Sequence, residues 1–126
     1  MPGVSATVVV VEDDASMRQA IERVLRAGGF DSLTFASAEV VIEADAAATA
    51  DCLILDVRLP GMSGLELYRR LAASEGKVPA IFITAHDGPA VREEAGRLGA
   101  GGFLPKPFSG RALLDAVNRV LGVKGP

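Results

Sequence analysis

Short aliphatic runs alternate with helix-period segments along the whole chain, and that alternation leaves few folds open. Val8-Val9-Val10-Val11, the weaker and less buried Ser32 to Phe35, Cys52 to Asp56, Ala80 to Thr84 and the short Phe103-Leu104 read as strands. Between them, Met17, Ile21, Val24 and Leu25 recur at helical spacing, and Gly28-Gly29 ends that helix. Ser37 opens a second helix carrying Val40, Val41 and Ala44, which fades in the alanine-rich stretch to Ala50. Ser63-Gly64-Leu65-Glu66 has the spacing of a capping box; the helix it opens turns Leu67, Tyr68 and Leu71 inward and ends near Gly76. Asp87, with Pro89 in the first turn, opens a fourth helix that sets Val91, Ala95 and Leu98 on one face, and Gly99 stops it. Ser109 opens the last, with Leu113, Val117, Val120 and Leu121 at i, i+4, i+7 and i+8. Five strand–helix pairs in strict alternation imply an α/β fold: a five-stranded parallel sheet with helices on both faces.

At 126 residues the chain reads as one domain over 1–126, with a core of about 6–121 and flexible termini. It is long enough to bury about two-thirds of its unfolded surface without disulfide or structural metal. A net charge of −3 argues against a nucleic-acid-binding surface. Cys52 is the single cysteine, so no intramolecular disulfide forms, and its place in an apolar run marks a small buried hydrophobe. No apolar stretch approaches the ~20 residues of a membrane span. Met1 to Thr7 lacks the basic start and long apolar core of a signal peptide, so the expected location is the cytoplasm.

The chemistry concentrates at strand ends. The first strand runs into Glu12-Asp13-Asp14 and the third ends in Asp56, and open parallel sheets place their sites at the carboxyl ends of strands. Two carboxylates ~4 Å apart repel by about 4 kcal/mol at an effective dielectric of 20, so one protonates or a cation fills the gap. All-oxygen donors favour a hard ion such as Mg²⁺, with Mn²⁺ as a substitute, and a partly open Mg²⁺ shell suits phosphoryl transfer. A carboxylate is itself a competent nucleophile, giving an aspartyl phosphate. Glu12 to Asp14 also read as the acidic start of the first helix, where they favour the dipole, and the acids alone do not separate these readings. Thr84, ending the fourth strand, and Lys106, held between Pro105 and Pro107 after the fifth, tip the balance. A hydroxyl and an ammonium beside three acids make a site for a phosphoryl group.

These residues carry a family resemblance. Val9-Val10-Val11-Glu12-Asp13-Asp14, Asp56-Val57-Arg58-Leu59-Pro60-Gly61-Met62-Ser63-Gly64, Ile83-Thr84-Ala85-His86 and Lys106-Pro107-Phe108 together resemble the receiver domain of bacterial two-component response regulators, over nearly the whole chain. The resemblance implies a flavodoxin-like sheet in strand order 2-1-3-4-5. It implies that Asp56 accepts phosphate from a sensor histidine kinase or phosphotransfer protein. Glu12, Asp13, Asp56 and the backbone carbonyl of Arg58 would hold Mg²⁺, while Thr84 and Lys106 contact the phosphoryl oxygens. The Lys106-Pro107 bond is expected to be cis. Counting back from Met17-Arg18 makes Glu12 and Asp13 the metal pair and leaves Asp14 as a loop or N-cap residue. Thr84 and Phe103 hold the switch positions; where many members carry Tyr, Phe103 has no hydroxyl, and a plain core role reads equally well. Gly101-Gly102 departs from the more usual acids, and His86, the single histidine, has a weak claim to a role at the site.

The expected function is a phosphorylation-dependent switch, relayed by the last two helices and fifth strand, that catalyses only its own phosphorylation and dephosphorylation. A haloacid-dehalogenase-type phosphatase would need an acid two residues after its nucleophile, where Arg58 stands. A degenerate receiver acting as a phosphorylation-independent interaction module is the remaining alternative. The local sequence around Phe35, Ser63 and Phe103 resembles receivers of the nitrogen-fixation type, often followed by a LuxR-type output domain. Direct binding of nucleic acid or membrane by this chain is not expected. Leu114 lies off the inward stripe of the last helix and is a candidate for a phosphorylation-dependent homodimer contact.

Overall fold

The alternating pattern closes into one sheet in a computed structural model that describes residues 6–74, 78–85 and 88–122. The strands are β1 (Thr7–Val11), β2 (Asp31–Phe35), β3 (Cys52–Asp56), β4 (Ala80–Thr84) and β5 (Gly102–Pro105). The helices are α1 (Ala15–Ala27), α2 (Ala38–Glu43), α3 (Gly64–Ser74), α4 (Pro89–Arg97) and α5 (Gly110–Val120), with a 3₁₀ turn at Ala46–Thr49. All pairings are parallel, in the order β2-β1-β3-β4-β5.

Side chains alternate across a strand, so each central strand feeds two cores. Val9, Val11, Leu53, Leu55 and Phe82 face α2, α3 and α4, where they meet Val41, Leu67, Tyr68, Leu71 and Ala95. Val8, Val10, Cys52, Ile54, Ile81 and Ile83 face α1 and α5, meeting Ile21, Leu25, Leu113, Ala116 and Val117. Burial on both faces explains why β1, β3 and β4 read as continuous apolar runs while the edge strand β2 does not. Each fully buried Leu, Ile or Phe contributes roughly 1.5–3 kcal/mol. The Tyr68 ring meets Phe82 edge-on, with centroids 5.7 Å apart, and its hydroxyl donates to the Val78 carbonyl at 3.2 Å.

Helix starts follow the expected capping residues. Asp14, Ser37 and Ser109 accept from the backbone N–H of Met17, Val40 and Ala112. The capping box at α3 is half formed: the Ser63 hydroxyl accepts from Glu66 N–H at 3.1 Å, but the Glu66 carboxylate goes to Arg69 and Arg70 on the exposed face. In α2 the inward residues are Ala38 and Val41; Val40 is 42% exposed and Ala44 is the C-cap, because six residues give one inward stripe and no more. Gly88, not a side chain, occupies the N-cap of α4. Asp87, His86 and Gly76 lie outside the described residues, as does 123–126. Leu114 is half-buried, with its side chain packed on Gly28 at the end of α1 where no Cβ intervenes.

Candidate functional site

Register delivers the site. Val11 pairs with Leu55, Asp56 with Ile83, and Thr84 with Pro105, so the residues at or just past these ends gather on one rim of the sheet. Between β1 and β3 the strand order reverses, and the crevice at such a reversal is where open α/β sheets place ligands.

Glu12 follows β1 with its side chain buried and every polar atom engaged. Its N–H donates to the Phe35 carbonyl at 3.0 Å, its carbonyl accepts from the Arg18 guanidinium at 2.8 Å, and Oε2 accepts from Asp14 N–H at 3.0 Å. Asp56, buried at the end of β3, accepts from Arg58 N–H at 3.0 Å through Oδ1. Lys106 Nζ bridges the two acids, donating to Glu12 Oε1 at 2.8 Å and Asp56 Oδ2 at 2.9 Å. Lys106 is itself placed by its N–H on the Thr84 carbonyl at 2.8 Å, and the Lys106-Pro107 bond is cis. Thr84 is fully buried on the same rim, Asp13 is exposed there, and Arg58 turns its side chain to solvent.

The ionisation of the group follows from this packing. Burial raises the Glu12 carboxyl above its ordinary value, opposed by the hydrogen bonds from Lys106 and Asp14. For Lys106, burial works downward, but hydrogen bonds to Glu12 and Asp56 and their charges outweigh it and hold the ammonium above its usual range. Oxygens of Glu12, Asp13 and Asp56 lie within 4.8 Å of one another. Three carboxylates against one ammonium leave two formal negative charges, and the donors are all hard oxygen, so the group fits a divalent ion such as Mg²⁺.

Phe103 stands apart from the acids on β5. It is half-buried against the α2–α4 core, and the Arg92 guanidinium of α4 lies 4.6 Å over its ring. Three contributors escaped sequence reasoning. Arg18, on the first turn of α1, anchors the Glu12 backbone. Gly64 packs so closely on the Asp56 carbonyl that a Cβ would have no room. Glu39 reaches from α2 to the loop after Asp56, a contact spanning 23 residues that no local pattern signals.

The response regulator receiver domain family matches residues 8–118. The transcriptional regulatory protein TdiR of Thauera aromatica is 39% identical over 121 residues, covering 96% of this chain and 53% of that protein. Nodulation protein W of Bradyrhizobium diazoefficiens is 43% identical over 112 residues, covering 89% of this chain and 49% of that protein. The chain thus spans about half the length of these curated relatives. Among solved structures, a response regulator receiver protein from Burkholderia phymatum superposes with a TM-score of 0.84 at 44% identity, covering 97% of this chain and 99% of that one. FixJ of B. diazoefficiens and NtrC of Escherichia coli match at 36% and 38% identity, so likeness does not single out one output class. No described helix is long and apolar enough to cross a membrane. Fold, acidic rim and matches over most of the length agree: the chain belongs to the response regulator receiver domain family.

Proposed function

We propose that the chain is a phosphorylation-dependent signalling switch that takes a phosphoryl group on Asp56 from a sensor histidine kinase or phosphotransfer protein. The observation that carries this reading is the buried Asp56 carboxylate, bridged by Lys106 to Glu12 and within reach of Asp13. An Asp56 oxygen attacks phosphorus, the P–N bond to the donor imidazole breaks, and the new P–O bond leaves an aspartyl phosphate. Bound Mg²⁺, held by Glu12, Asp13, Asp56 and the Arg58 carbonyl, would offset charge on the transferred group. Lys106, released in part from Asp56, offers its ammonium to the phosphoryl oxygens, and Thr84 offers its hydroxyl. Arg58 N–H keeps the carboxylate oriented for attack.

The same reading assigns the relay to α4, β5 and α5, with Thr84 and Phe103 as the moving parts. Phe103 has no hydroxyl to exchange hydrogen bonds, so its contribution rests on packing and on the Arg92 contact over its ring. The chain acts as one receiver unit in the cytoplasm, performs only its own phosphorylation and dephosphorylation, and passes the signal by protein contact, with a phosphorylation-dependent homodimer as one route. It does not itself touch nucleic acid or membrane. By class we assign it to receivers of the nitrogen-fixation type, which LuxR-type output often follows.

Incubation with acetyl phosphate and Mg²⁺, read by intact mass, tests the proposal. A Mg²⁺-dependent gain of a single phosphoryl group, absent in Asp56→Asn, is expected. No gain by a folded protein would overturn it in favour of a phosphorylation-independent interaction module.

A further inference from the structure

The loop from Asp56 to α3 carries Arg58, whose N–H holds the Asp56 carboxylate, so the path of that loop sets the geometry of the acidic rim. Its base is secured by Val57 N–H on the Ile83 carbonyl at 2.9 Å and by Gly64 N–H on the Val57 carbonyl at 3.1 Å. Among the described residues its apex, Pro60 to Met62, makes one hydrogen bond to the rest of the domain, Met62 N–H to Glu39 Oε2 at 2.8 Å, beside the packing of the Met62 side chain against the core. Gly61 makes the approach feasible. Its φ is +76°, and a Cβ there would lie 2.5 Å from Glu39 Oε2, so the carboxylate occupies the space a side chain would take. Glu39 belongs to the first turn of α2, an element that supplies no other group to the site, and Ser37 fixes the start of that turn. The Met62 N–H bond also keeps the Glu39 carboxyl below its ordinary value, so the acceptor is charged at neutral pH.

We propose that Glu39 is a positioning residue for the phosphorylation site: its carboxylate clasps the apex of the loop at Gly61-Met62 and thereby holds Arg58 and Asp56 in the arrangement that binds the divalent ion. The inference rests on the receiver reading above and adds to it a residue on a different element, outside the acidic rim. Partners that orient metal ligands without touching the metal typically account for ~10–100-fold in affinity.

The test measures three quantities on the full chain for the wild type, Glu39→Ala and Glu39→Gln: Mg²⁺ affinity by calorimetry, exchange of the Met62 amide by NMR, and thermal midpoint. In Glu39→Ala, Met62 exchange should accelerate and Mg²⁺ affinity should fall by ~10-fold, while the midpoint moves little because Glu39 is exposed. Glu39→Gln keeps an acceptor oxygen and should recover most of both losses, which a general loss of stability would not reproduce. Faster Met62 exchange with Mg²⁺ affinity within about twofold of wild type would overturn the positioning role. Unchanged Met62 exchange would overturn the clasp itself. A wild type that binds no Mg²⁺, with Met62 still protected by Glu39, would overturn the receiver reading and this role with it.

Discussion

Replacing Gly64 by alanine probes how tightly the start of α3 is docked on the end of β3. A Cβ at Gly64 would lie 3.0 Å from the Asp56 carbonyl carbon and closer still to its oxygen. Comfortable contacts begin at ~3.5 Å, so relief requires the two backbones to part by about 1 Å. Two effects compete. Alanine in place of glycine favours a helix interior by ~1 kcal/mol, and less at a first helical residue. Overpacking costs ~1–3 kcal/mol, and here both partners are backbone, so no rotamer change absorbs it. Overpacking should win, with a net loss of about 1–2 kcal/mol in urea unfolding. The larger effect is catalytic, because the atom displaced is the backbone of Asp56. A shift of ~1 Å in a reacting group can cost ~100-fold, so phosphorylation from acetyl phosphate should slow by about that factor in a folded Gly64→Ala protein. Wild-type stability together with a wild-type rate would refute the reasoning, and a stability loss with an unchanged rate would show that the strain relaxes away from Asp56.

Other expectations follow from the same contacts. Lys106→Met removes the cation between carboxylates whose oxygens lie within 4.8 Å, a repulsion of roughly 3–4 kcal/mol at an effective dielectric of 20. Glu12, already raised by burial, should rise further; a folded pKa above the unfolded value gives stability present below ~4.3 and lost as pH climbs, so the variant in EDTA should lose stability with rising pH more steeply than wild type, by denaturant unfolding. A parallel pH profile would count against the bridge. Burial pushes the Cys52 thiol up to about 12, so a disulfide reagent at ~pH 8 should react only at the rate of opening, and fast native-state labelling would contradict that burial. Leu114→Ala should lower stability by about 1–3 kcal/mol through the void left over Gly28, and a loss of self-association without destabilisation would assign Leu114 to an interface in place of this packing role.

Much of the fold is written locally. Strands buried on both faces must be apolar at every position, so β1, β3 and β4 announce themselves within single runs, and Asp14, Ser37 and Ser109 mark helix starts by hydrogen bonds that span three residues. Where the local signal was weaker, structure corrected it. The Val40 of a six-residue helix faces solvent because one turn and a half cannot bury two stripes, and Glu66 prefers two exposed arginines to closing its capping box.

By itself the sequence determined which groups end the strands: Glu12, Asp13, Asp56, Thr84 and Lys106 are set there by the periods of the runs before them, whatever the order of the strands. Tertiary structure alone decided what those groups do to one another. Parallel register places Glu12 and Asp56 side by side, bringing their carboxylates onto one ammonium, and a contact across 94 residues leaves no mark in any local window. The same holds for Arg18 on the Glu12 carbonyl, Gly64 against Asp56 and Glu39 on the loop apex. Side-chain periodicity is a property of each segment, whereas distance between segments is a property of how they pack.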